Sequence, residues 1–97
     1  MAEGGDNKRI YLRETVRTRA KLMVNGKWHD CTITNISPVG ARLYLRMDVH
    51  TGKEVRIEIG DFGQYDAIVV WSYGDETGLK FAHEPSQMND LVMALAS

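Results

Sequence analysis

Asn25-Gly26 splits two runs of alternating character, residues 16–24 and 27–34. Asn-Gly is the pair best suited to a two-residue turn whose central residues both take positive φ, and that turn joins antiparallel neighbours. In the first run Val16, Thr18, Ala20 and Leu22 alternate with Arg17, Arg19 and Lys21. A period of two puts the apolar set on one face and the cations on the other. The returning run should turn Cys31 and Ile33 inward and continue to Thr34.

The same period recurs down the chain. Ala41, Leu43 and Leu45 alternate with Arg42, Tyr44 and Arg46, and Val55, Ile57 and Ile59 alternate with Glu54, Arg56 and Glu58. Thr51-Gly52, Gly60-Asp61-Phe62-Gly63 and Gly74-Asp75-Glu76-Thr77 punctuate the runs, with a β-prone segment at 64–73 and a last strand from Gly78 to Phe81. About six short strands at this spacing predict a small six-stranded antiparallel β-barrel. From Pro85 the period changes. Met88, Leu91, Val92 and Leu95 form one apolar helical stripe, so a single C-terminal α-helix is expected at about 85–96. Covering the core is its expected role, and partner binding is the alternative.

A chain of 97 residues is the size of one domain, assigned to 9–97, with residues 1–8 expected to be a flexible tail. One cysteine rules out an internal disulfide and suits a cytoplasmic protein. No apolar run has the length of a membrane helix, so membrane insertion is not expected. The net charge of −1 conceals an asymmetry: residues 1–47 carry nine Lys/Arg and four Asp/Glu, residues 48–97 three and nine. Half of the cations lie between Lys8 and Lys21, a cluster suited to an anionic ligand.

Two stretches carry candidate chemistry. Asn35-Ile36-Ser37-Pro38-Val39-Gly40 reads as a polar turn between strands. Asn35 and Ser37, two apart, would share a face and offer amide and hydroxyl groups to a polar ligand edge. Gly40 stands where a side chain would block close backbone approach or a positive φ. Upstream, Arg9-x-x-x-Arg13 places two guanidiniums roughly 13 Å apart on an extended chain at ~3.3 Å per residue. Their planar forks suit phosphate oxygens or guanine O6 and N7.

In this order, RxxxR followed about twenty residues later by [D/N]xSxxG, the motifs resemble those of the PilZ domain family. Val16, Ala20 and Leu22, Val69-Val70-Trp71 and Gly78-Leu79-Lys80-Phe81 extend the resemblance from Lys8 to Phe81. It implies a barrel that binds cyclic di-GMP, a bacterial second messenger. Arg9 and Arg13 would clamp guanine and phosphate, Asn35 and Ser37 would receive a guanine edge, and Gly40 would leave room for the backbone. Lys8 would add phosphate attraction and bear on whether one ligand or a stacked pair binds. Trp71 is either a wall beside the ligand or a barrel residue packed under the helix, and Arg42 is a weaker contact. Ligand would order the arm onto the barrel and create a surface for a protein partner, with motility, exopolysaccharide or pilus function as outputs.

No enzyme is expected. His29, His50 and His83 are scattered, Cys31 lacks a catalytic neighbour, and Ser37 has no G-x-S-x-G setting. No cofactor or metal is implied. Two other readings compete: an adaptor that binds a protein without nucleotide, and a barrel that binds single-stranded nucleic acid. The latter needs a basic groove with aromatic platforms, whereas aromatics are few here and residues 48–97 are acidic.

Overall fold

At the Asn25-Gly26 turn, φ is 52° and 80°. From it β1 (Glu14–Val24) and β2 (Lys27–Ser37) run back antiparallel, beginning at Val24↔Lys27. The computed structural model describes residues 12–97, so Lys8, Arg9 and the tail at 1–8 lie outside the described residues. Four more strands follow: β3 (Gly40–Tyr44), β4 (Glu54–Ile59), β5 (Gly63–Tyr73) and β6 (Glu76–Phe81). A single 3-10 turn, Gly60–Phe62, links β4 to β5.

Among the described residues all pairings are antiparallel, and the sheet closes in the order β1-β2-β3-β6-β5-β4. Closure comes from β1 pairing with β4 at Lys21↔Glu58, Leu22↔Ile57 and Met23↔Arg56. Closure gives every one of these strands a hydrogen-bonded neighbour on each side. The alternation sorts the side chains as expected. Leu22, Ile33, Leu43, Ile57, Ile59 and Val69 are fully enclosed, while Arg17, Arg19, Arg42 and Arg46 face solvent. Truncating one of the enclosed aliphatic residues to Ala costs roughly 2–5 kcal/mol.

The helix α1 (Pro85–Ala96) starts at the proline, and the Glu84 N–H donates to Gln87 Oε1 at 3.0 Å. Met88, Leu91 and Val92 enter the core, and Leu95 packs at its margin. The helix rests mainly on β1 and β2. Its apolar stripe is therefore spent on the barrel rather than left open.

β2 runs three residues further than its alternation suggests, through Asn35, Ile36 and Ser37. A register shift between Ile33 and Asn35 makes this possible. Thr34 Oγ1 donates to the Arg42 carbonyl at 3.2 Å at that irregularity. The connection to β3 shrinks to Pro38-Val39, closed by the Ser37↔Gly40 pair.

Cys31 is buried, and burial first, then the neighbouring Asp30 charge, pushes its thiol up to about 12. A thiol so held stays protonated at pH 8 and is a poor nucleophile. A disulfide reagent should label it at least about a hundredfold more slowly in the native chain than in denaturant. Equal rates in the two conditions would show the site to be open. The linked contribution to stability is fully present below the ordinary thiol value of 9.0 and is lost as pH rises through about 12.

Candidate functional site

The three bulged strands carry the candidate residues. Register shifts fall between Thr15 and Thr18 in β1, Ile33 and Asn35 in β2, and Val69 and Trp71 in β5. A bulge inserts an extra residue and re-aims the side chains beyond it. By plain alternation Asn35 would follow Cys31 and Ile33 inward, and Trp71 would follow Ala67 and Val69. Both are turned outward instead. Asn35 is half-buried, opposite in sense to fully buried Ile36, and Trp71 is 39% exposed.

The register then aligns one row across five strands. Thr15 lies opposite Asn35, Asn35 opposite Arg42, Arg42 opposite Gly78, and Gly78 opposite Trp71. Gly78 explains how the row ends. A Cβ there would meet Trp71 Nε1 at 2.1 Å and Cε2 at 2.4 Å, so the indole lies across the bare glycine. Trp71 is thus not packed beneath α1. It forms a ledge on the outer wall, with the Arg42 strand on the other side of Gly78.

Arg13 enters the row from the chain before β1. Its Nε donates a hydrogen bond to Asn35 Oδ1. That contact fixes the Asn35 amide with its oxygen toward the arginine, leaving the amide N–H groups and the rest of the guanidinium as donors. Arg42 is exposed, so two guanidiniums flank Asn35 within the same row. Arg9 and Lys8 lie outside the described residues.

Ser37 and Gly40 sit just above the row and are occupied by the fold itself. Ser37 is wholly buried, and its Oγ accepts the Val39 N–H at 3.2 Å. Such a bond is the usual way a serine ties a tight turn. Gly40 faces the backbone of β6: an added Cβ would stand 2.2 Å from the Leu79 carbonyl oxygen. Close approach, rather than a left-handed φ, is therefore what excludes a side chain. Thr15 and Gly78 also belong to the row, although the sequence assigns neither of them to the site. Gly78 lies inside β6, and a glycine within a strand is the mark of a close approach by another group.

The PilZ domain model matches residues 7–96. The chain belongs to the PilZ domain family. Solved structures of several proteins share its fold, among them three that align over nine-tenths or more of this chain. The inhibitor of motility MotI/DgrA of Bacillus subtilis aligns with a TM-score of 0.72 at 16% identity, over 90% of this chain and 49% of that one. The PlzA protein of Borreliella burgdorferi, solved in complex with c-di-GMP, gives 0.70 at 18%, over 96% and 43%. The PilZ domain of YcgR from Escherichia coli, solved with c-di-GMP, gives 0.66 at 12%, over 91% of each chain. The chain therefore spans about half the length of MotI/DgrA and less than half of PlzA. No protein of curated function matches it by sequence.

Proposed function

We propose that this PilZ chain is a cyclic di-GMP receptor rather than an enzyme. What carries the reading is the Arg13–Asn35 hydrogen bond at the head of a row that continues through Arg42 to the exposed Trp71 ledge. Guanidiniums supply forked donors to phosphate and to guanine O6 and N7, and an exposed indole supplies a face against which a base can stack. A ligand with two guanines and two phosphates asks for both kinds of group along one line. Arg9 and Lys8 complete the clamp from the N-terminal side. Ser37 serves through the turn it ties, and Gly40 through the close β3–β6 approach it allows. PlzA and the YcgR domain, solved with the same ligand, share the fold and so favour this choice.

In this reading residues 9–97 act as one cytoplasmic domain, and ligand draws the arm at 1–8 and Arg9 onto the barrel. The combined surface is then read by a protein partner that governs motility, exopolysaccharide or pilus output. Among the described residues no helix is long and apolar enough to cross a membrane.

Titrating the purified chain with cyclic di-GMP, cyclic di-AMP, GTP and a short RNA tests the proposal. Cyclic di-GMP should bind with clear preference and shift the Trp71 indole signal. No heat and no spectral change at saturating ligand would end the receptor reading in favour of a nucleotide-free adaptor. Tighter binding of the RNA would favour the nucleic-acid barrel.

Asn35 gives a sharper test of the row. Asn35→Ala removes the acceptor that seats Arg13 and should weaken cyclic di-GMP binding by roughly 1–3 kcal/mol. Asn35→Asp keeps an acceptor and adds a charge that strengthens the bond to Arg13. The Asp variant should bind as well as the parent or slightly better. Dissociation constants for the three proteins at one salt concentration decide this. Equal losses in Asp and Ala would mean that the amide N–H, not the oxygen, is the working group.

A further inference from the structure

A cleft of about 850 Å³ opens on the same barrel wall, and it shares no lining residue with the row described above. Arg19 and Lys21 of β1, Trp28 of β2, Tyr44 at the end of β3 and Arg46 just beyond it line it. The register places it further along the same strands: Arg19 lies opposite Thr32, and Thr32 opposite Tyr44. At ~3.3 Å per residue, Thr32 is roughly 10 Å from Asn35 and Trp28 roughly 23 Å. The two sites are therefore separate positions on one wall.

The charges in the cleft are unequally balanced. Lys21 stands between Asp30 on β2 and Glu58 on β4 in register, so two carboxylates flank it. Arg19 and Arg46 are in a different position. Among the described residues, Arg56–Asp66 is the one ion pair, and neither cleft arginine takes part in it. Both are exposed. Two large rings are also left open, Trp28 at 38% and Tyr44 at 42%. Arginine forks and two open aromatic faces in one cleft fit a ligand that carries both a phosphate and a flat ring. The volume is that of a small-ligand cleft, within the range of about 300–1,000 Å³.

We propose that this cleft is a second ligand site, taking a phosphate-bearing nucleobase on Arg19 and Arg46 with the base against Trp28 or Tyr44. The chemistry is the same whether the unit is a free nucleotide or one residue of a single strand. The site does not depend on the cyclic di-GMP reading.

The chain contains two tryptophans, and one lies in each site. In ¹⁵N-labelled wild-type protein their indole N–H signals report the two sites separately, with Trp28→Phe giving the assignment. GTP, guanosine, pyrophosphate and hexathymidylate are the probes for the cleft. GTP should move the Trp28 signal, and guanosine and pyrophosphate should each bind at least about tenfold more weakly, because each offers half of the recognition. Arg19→Ala and Arg46→Ala should each weaken the GTP response about tenfold, with melting curves excluding unfolding. Arg46→Lys should lose affinity too, since it keeps the charge but not the fork. A response to hexathymidylate without one to GTP would support the site with a strand as its source. The proposal is overturned if no probe moves Trp28 at concentrations on the order of 1 mM. It is equally overturned if pyrophosphate binds as tightly as GTP, or if the response survives loss of both arginines. Cyclic di-GMP binding is read on Trp71, so either site can fail without the other.

Discussion

Arg13→Ala is expected to weaken cyclic di-GMP binding by more than about tenfold, while Arg17→Ala leaves it within about twofold. Both arginines satisfy an RxxxR spacing, since Arg9-x-x-x-Arg13 and Arg13-x-x-x-Arg17 overlap. Their surroundings separate them. Arg13 precedes β1 and donates from Nε to Asn35 Oδ1 across to β2. Arg17 lies within β1 on its exposed face, and no hydrogen bond to the row is made by its side chain among the described residues. Losing one charge-assisted, forked contact costs on the order of 1.5–3 kcal/mol, which is about tenfold to more than a hundredfold in affinity. The native fold should survive, because Arg13 is exposed and contributes no core surface. Calorimetric titration of both variants, with melting curves beside it, is the measurement. Equal losses would move the clamp to Arg13 and Arg17 and take Arg9 out of the site.

The barrel could be read from the chain because its signals are local. Alternation over a single strand needs no knowledge of the partner strand, and Asn25-Gly26 carries its own φ preference. The helical stripe of Met88, Leu91 and Val92 is likewise visible within twelve residues. The row was harder to foresee because a bulge is a relation between two strands. Nothing in Val69-Val70-Trp71 by itself says that Trp71 leaves the inward series begun by Ala67 and Val69. Nothing in Thr32-Ile33-Thr34-Asn35 says that Asn35 turns outward. Motif spacing could name Asn35 and Arg13 together, but only the register puts Gly78 between Arg42 and Trp71. Ser37 shows the opposite case. Its place in a polar motif suggested an open hydroxyl, whereas the hydroxyl oxygen is enclosed and accepts from Val39.

Gly40→Ala should be strongly damaging, because its methyl group would strike backbone, and the damage should fall on stability before it falls on binding. The added Cβ would stand 2.2 Å from Leu79 O and 3.3 Å from Leu79 C, and both are backbone atoms. A side chain could rotate away from such a contact; a strand carbonyl cannot move without disturbing its ladder. That ladder holds Gly40↔Lys80, Ala41↔Leu79 and Arg42↔Gly78, and the neighbouring Phe81 N–H donates to Val39 O at 2.9 Å. To admit the methyl group, β3 and β6 must part at one of the two seams that join the halves of the barrel, exposing Ala41 and Leu79. Forcing extra volume into a packed site costs typically 1–3 kcal/mol, and a rigid backbone wall puts this case at the upper end or beyond. For a domain of this size a loss of about 3 kcal/mol lowers Tm by more than roughly 10 °C and removes a large share of the total stability. Gly26→Ala is the control. Its added Cβ meets nothing within 4 Å, so only the positive φ of 80° opposes it, and it should cost about 1 kcal/mol. Thermal melts of the two variants beside the parent make the comparison. If Gly40→Ala melts as high as Gly26→Ala, the β3–β6 contact is soft, and the motif glycine must be held there by the ligand instead. Cyclic di-GMP affinity of the folded Gly40→Ala fraction would then be the quantity that falls.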